Sequence, residues 1–141
     1  MDRDEIKTFL PHREPMLLVD DVVEENDIAI GHYHVKGDEF FLQGHFPGYP
    51  VVPGVIICEI MAQSCCILIK DELAKGCTPF YSGIDSARFK RQVRPGDTLT
   101  VEGHITNRRG LTFFVESKSS VDGQLCCKAN LIFTLVPNVK E

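Results

Sequence analysis

The sequence predicts an α+β fold in which a mostly antiparallel sheet curls around one long buried helix. Two observations carry that prediction. Residues 55–69 are apolar on nearly every face, with Glu59, Gln63 and Ser64 as the only strongly polar side chains, and a helix apolar all round belongs in a core. On both sides of it lie five or six segments with strand periodicity, separated by turn signals. No repeat, linker or low-complexity segment interrupts the 141 residues, so the expectation is one domain over residues 1–141, long enough for a single core.

Taken in order, residues 4–10 fit a short helical turn ahead of Pro11. Residues 16–24 (MLLVDDVVE) and 28–36 (IAIGHYHVK) read as two strands turning at Asn26-Asp27. Residues 44–54 hold three glycines and three prolines, which makes an irregular, stiff loop. The long helix is expected over 54–75, with Pro53 at its first turn, where a missing N–H costs nothing, and Gly76 as its stop. Strands follow at about 80–91, 98–107, 111–119 and 125–136. Leu99, Val101, Gly103 and Ile105 share one face, as do Cys127, Ala129, Leu131, Phe133 and Leu135. Asp122-Gly123 is a strong hairpin signal.

Composition narrows the function. A net charge of −5 argues against non-specific nucleic-acid binding, which needs a basic surface. The longest apolar run is interrupted by Glu59 and Gln63 and falls short of the roughly 20 residues that span a bilayer. The opening MDRDEIKTFL is charged where a signal peptide is apolar, so the expected location is the cytoplasm, with no membrane association. Six cysteines occur, as the pairs Cys65-Cys66 and Cys126-Cys127 and as Cys58 and Cys77, without zinc-site spacing. They read as free, buried thiols.

One carboxylate stands out. Glu59 on an apolar helix has to be paired, held neutral or used, because an isolated buried carboxylate is costly. Burial among Ile56 and Ile60 favours the protonated form, which suits an acid. His45, fourteen residues upstream in the rigid loop, supplies the matching base, since neutral imidazole is abundant near pH 7. Gly54 opens the helix, where N–H groups lack partners and the dipole is positive. Lacking a side chain, it lets an oxyanion approach closely. Gln63, one turn after Glu59, can brace the carboxylate. His12, His32, His34 and His104 read as structural, packed or solvated residues.

Three blocks resemble a known family. LPHREPMLLVDDV (residues 10–22), GHFPGYPVVPGVIICEIMAQ (44–63) and GIDSARFKRQVRPGDTL (83–99) resemble, in order, the blocks of the β-hydroxyacyl–acyl carrier protein dehydratases of type II fatty-acid synthesis, FabZ type, with the hot-dog fold. The resemblance implies dehydration of a (3R)-hydroxyacyl thioester to the trans-2-enoyl thioester. His45 would be the base, Glu59 the acid, acting directly or through a water, and the Gly54 amide the oxyanion donor. It implies that His45 and Glu59 meet across a dimer interface, with a homodimer as the minimum unit and a trimer of dimers common among relatives. The partner is acyl carrier protein, whose phosphopantetheine arm arrives with the substrate, and no metal or organic cofactor is expected. Arg88, Lys90, Arg91 and Arg94 form a basic cluster that is either a solvated strand edge or a docking patch for that acidic carrier, and Phe80 and Tyr81 fall where relatives line the acyl tunnel entrance. Gln92 stands where many relatives have proline. Rival readings are a dehydratase that also makes cis-3 enoyl chains, a thioesterase, and a non-catalytic acyl-thioester binder. Glu59, where the isomerising FabA type carries aspartate, disfavours the first; the paired His45 and Glu59 disfavour the others.

Overall fold

The computed structural model describes residues 1–138; positions 139–141 of the expected domain lie outside the described residues. Six strands make one sheet: β1 (Asp21–Glu25), β2 (Ile28–His34), β3 (Cys77–Phe89), β4 (Thr98–Arg109), β5 (Thr112–Val121) and β6 (Gln124–Pro137). Every neighbouring pair is antiparallel, in the spatial order β1-β2-β4-β5-β6-β3. β3 therefore leaves the meander and pairs with β6, which makes β1 and β3 the two edges. The helices are α1 (Arg3–Ile6), α2 (Gly54–Cys65) and α3 (Lys70–Ala74).

Two tight turns set the register. Asn26 and Asp27 have φ 52° and 64°, and Asp122 and Gly123 have φ 50° and 78°. Two successive left-handed residues give a turn whose twist matches that of the flanking strands. Register shifts within β3–β6, β4–β5 and β5–β6 bend the sheet, as bulges do, and the sheet closes over α2. Gly31 on β2 and Gly103 on β4 let the helix sit close: a Cβ at Gly31 would stand 2.5 Å from Ser64 Oγ, and one at Gly103 would overlap Cys65 Sγ. Ile57, Ile60, Met61 and Ala62 pack with Leu99, Val101, Leu131 and Phe133 in the main core. This is the curled sheet around a helix that the sequence predicts.

Two details differ. The helix is not continuous over 54–75, because Cys66–Ile69 tightens into a 3-10 turn before α3 resumes. The tighter winding lets Cys66, Ile67 and Ile69 join a second core cluster with Phe9, Leu10, Phe113 and Leu135. The first strand starts at Asp21 rather than residue 16. Leu17, Leu18 and Val19 are all buried, without the alternation a strand imposes. The Met16 and Leu17 amides turn back to Arg13 O, and the Leu18 amide goes to a side chain of α2. That side chain is Gln63, and the detour leads straight to the site.

Candidate active site

Gln63 is 3% exposed and uses its whole amide. Its oxygen accepts the Leu18 N–H at 2.8 Å; its nitrogen donates to Met16 O at 2.8 Å and to Glu59 Oε1 at 3.0 Å. Four residues separate Gln63 from Glu59 on α2, so the two side chains lie one above the other. The side chain of Glu59 keeps 19% of its surface exposed, and His12 Nε2 lies 3.3 Å from the same Oε1. Glu59 is thus a carboxylate with two polar partners at the edge of the core, rather than one isolated among Ile56 and Ile60.

His12, Glu59, Ala62, Gln63, Cys66, Pro79, Tyr81 and Phe133 line a cavity of about 30 Å³, roughly the volume of one water. Tyr81 forms part of its wall: its hydroxyl donates to Cys58 O at 2.8 Å, and burial, with the nearby Glu59 charge, pushes its ionisation well above the ordinary tyrosine range. Phe80, the next residue along the strand, points the other way and is 60% exposed. The expected entrance pair therefore divides, with Tyr81 facing the Glu59 cavity and Phe80 facing solvent.

His45 sits on the loop between the 3-10 turn Phe40–Leu42 and α2. The loop is pinned by bonds from Val51 N to His45 O (2.9 Å) and His45 N to Leu42 O (3.1 Å), and by reciprocal bonds between Phe46 and Tyr49. His45 Nδ1 lies 3.0 Å from Val51 O. A carbonyl only accepts, so Nδ1 carries the proton and Nε2 keeps a lone pair in the neutral ring. The imidazole stacks on Phe46 at a centroid distance of 4.3 Å. His45 is not among the residues lining its own chain's Glu59 cavity.

At the start of α2, the Ile56 and Ile57 amides both bond Pro53 O, which leaves the Gly54 and Val55 amides as donors of the first turn without a backbone partner among the described residues. The Phe89 ring lies 3.0 Å from where a Cβ on Gly54 would stand, so any side chain would force that ring aside. Gly54 opens onto a groove of about 410 Å³ lined by Val52, Phe89, Lys90, Arg91 and Gln92 among others. Arg91 and Gln92 also line a neighbouring cleft of about 630 Å³, with Pro50, Arg94 and Asp97. Arg88, Lys90 and Arg94 are exposed. Arg91 is half-buried, 4.0 Å from Asp97, and Arg94 lies over the Tyr49 ring at 4.0 Å. The basic cluster is thus contiguous with the mouth of the Gly54 groove.

His32 pairs with Asp21 and His34 with Thr98, in keeping with their structural reading. The six thiols are free; burial pushes Cys65 up to about 12. His12 is the residue that sequence reasoning misplaced: it is part of the Glu59 site. Only the need of a buried carboxylate for a partner could have pointed to it.

The FabA-like domain family matches residues 10–130. The 3-hydroxyacyl-[acyl-carrier-protein] dehydratase FabZ of Staphylococcus carnosus is 47% identical over 137 residues, covering 95% of this chain and 94% of the relative. That of Clostridium perfringens is also 47% identical over 137 residues, covering 96% and 99%. Among solved structures, the dehydratase heterocomplex ApeI:P from Xenorhabdus doucetiae superposes with a TM-score of 0.77 at 19% identity, covering 93% of this chain and 90% of that one, a likeness of fold. The chain belongs to the FabA-like family, and within it to the FabZ-type dehydratases.

Proposed function

We propose that this chain dehydrates (3R)-hydroxyacyl-[acyl carrier protein] to trans-2-enoyl-[acyl carrier protein], with His45 as base and Glu59 as acid. The protein is a hydro-lyase of fatty-acid biosynthesis. His45 Nε2 takes the α-proton while the thioester oxygen gathers negative charge beside the Gly54 amide. The electron pair returns to form the α–β double bond as the β C–O bond breaks, and Glu59 gives its proton to the departing hydroxyl, which leaves as water. The step balances with an acid, a base and an oxyanion donor, so the proposal includes no metal or organic cofactor. The observation that carries the reading is the 3.0 Å contact of His45 Nδ1 with Val51 O, which leaves Nε2 as the nitrogen with the lone pair in the neutral ring.

His45 is not among the residues lining the Glu59 cavity of its own chain, and a second copy supplies the missing partner in this reading. β3 is an outer edge of 13 residues with exposed Phe80, Ile84 and Phe89; edges of that kind need covering. A homodimer along it is the proposed minimum unit, extending to a trimer of dimers. The basic cluster Arg88, Lys90, Arg91 and Arg94 is the proposed landing site for the acidic carrier protein, whose phosphopantetheine arm enters past Gly54. Attraction of this kind speeds encounter and weakens with salt. No helix among the described residues is long and apolar enough to cross a membrane, and the proposed location is the cytoplasm.

The test is turnover of 3-hydroxyacyl-carrier-protein, with mass spectrometry resolving trans-2 from cis-3 products. Wild type should give the trans-2 product, and His45→Ala and Glu59→Gln should each lose about 10²–10⁴-fold. A variant that retains full turnover would overturn its assigned role.

A further inference from the structure

We infer that His12 is a positioning residue for the acid, and that Glu59 hands over its proton from Oε2. The inference rests on Glu59 being the acid. Gln63 Nε2 and His12 Nε2 reach the same oxygen, Oε1, at 3.0 and 3.3 Å from two different elements. Gln63 donates a hydrogen bond to this oxygen, and His12 Nε2 stands within ion-pair reach of it. The proton of the neutral acid therefore sits on Oε2, which is free to meet the substrate.

Gln63 alone does not fix the carboxyl, because a single donor leaves it free to pivot about that bond. Gln63 itself cannot turn, held by Met16 O and the Leu18 amide. His12 supplies the second point, from the loop that follows α1. Its cost is visible in the fold, since His12 Nδ1 is buried without a hydrogen-bond partner among the described residues. An apolar side chain would form this cavity wall without leaving a polar atom unpaired. The ring accounts for itself through Nε2, which is where it touches Glu59.

The test compares His12→Phe, which keeps a planar ring and removes the donor, with His12→Gln, which keeps a donor of similar reach. Both are assayed on 3-hydroxyacyl-carrier-protein beside Glu59→Gln, with melting curves as a check on the fold. His12→Phe should lower kcat about 3- to 10-fold, the scale of one lost polar contact to a neutral acid, with KM within about twofold. His12→Gln should recover most of that loss. If His12→Phe turns over like wild type while Glu59→Gln is inactive, the inference fails and the acid assignment stands. If Glu59→Gln keeps its activity, the acid assignment itself fails. Equal losses in both His12 variants, tracking a lower melting temperature, would make the residue structural only and overturn the positioning role. Should His12→Phe not fold, His12→Asn, whose shorter amide falls away from Oε1, carries the same test: kcat must fall with KM held.

Discussion

Replacing Gln63 with leucine should separate the structural and chemical duties of one side chain. Gln63 and Leu18 are 3% and 1% exposed, so Gln63→Leu leaves the Leu18 N–H buried without an acceptor, at a cost of about 1–3 kcal/mol. Met16 is 40% exposed, and its carbonyl can turn to water at little cost. The new apolar side chain roughly offsets the lost bonds to Met16 O and Glu59, for a net destabilisation of about 2 kcal/mol. For this chain of 141 residues that corresponds to a fall in Tm of roughly 4–8 °C. Melting gives the shift, and amide exchange should show the Leu18 N–H losing protection while the β4–β5 ladder keeps its own. The kcat should fall too, because Glu59 loses a donor. A variant that melts within about 1 °C of wild type, with Leu18 protection unchanged, would refute this accounting.

Other perturbations test the remaining parts. Gly31→Ala puts a methyl group 2.5 Å from Ser64 Oγ and should cost about 1–3 kcal/mol by pushing α2 off the sheet; an unchanged denaturant midpoint would contradict it. Hydrogen bonding to Lys7 holds Glu14 down to about 2, with its own backbone and Arg3 assisting. The unfolded chain therefore takes up this proton first as pH falls, and the stabilisation is present above about pH 4.5 and lost toward pH 2. Glu14→Gln should flatten stability across that window, and parallel acid-unfolding curves would refute it. Tyr33 is raised by burial and by Glu39, and Tyr81 by burial. Alkaline titration of the native protein should thus reach less than the full three-tyrosine absorbance until unfolding, and a full step before unfolding would contradict that.

The fold was legible because its period-2 strands, its turn dipeptides and its all-apolar helix each point the same way. Asn26-Asp27 and Asp122-Gly123 adopt the left-handed pairs their identities suggest. Residues 16–19 misled because an apolar run reads as a strand whether its amides go to a ladder or to a side chain 45 positions away. The 3-10 turn at Cys66–Ile69 is invisible to periodicity, being imposed by two core clusters that only the folded chain defines. Within the site, Gln63 was readable from its i,i+4 spacing. His12 was not, because 47 positions separate it from Glu59 and only the detour of the loop brings them together.

Complementation decides whether His45 of one chain works with Glu59 of another. His45→Ala and Glu59→Ala, each inactive alone, are unfolded, mixed and refolded together, then assayed on 3-hydroxyacyl-carrier-protein. Random pairing puts one intact site in half of the dimers, so activity should return to about a quarter of the wild-type level. A mixture that forms mixed dimers and stays inactive would contradict a site shared between chains.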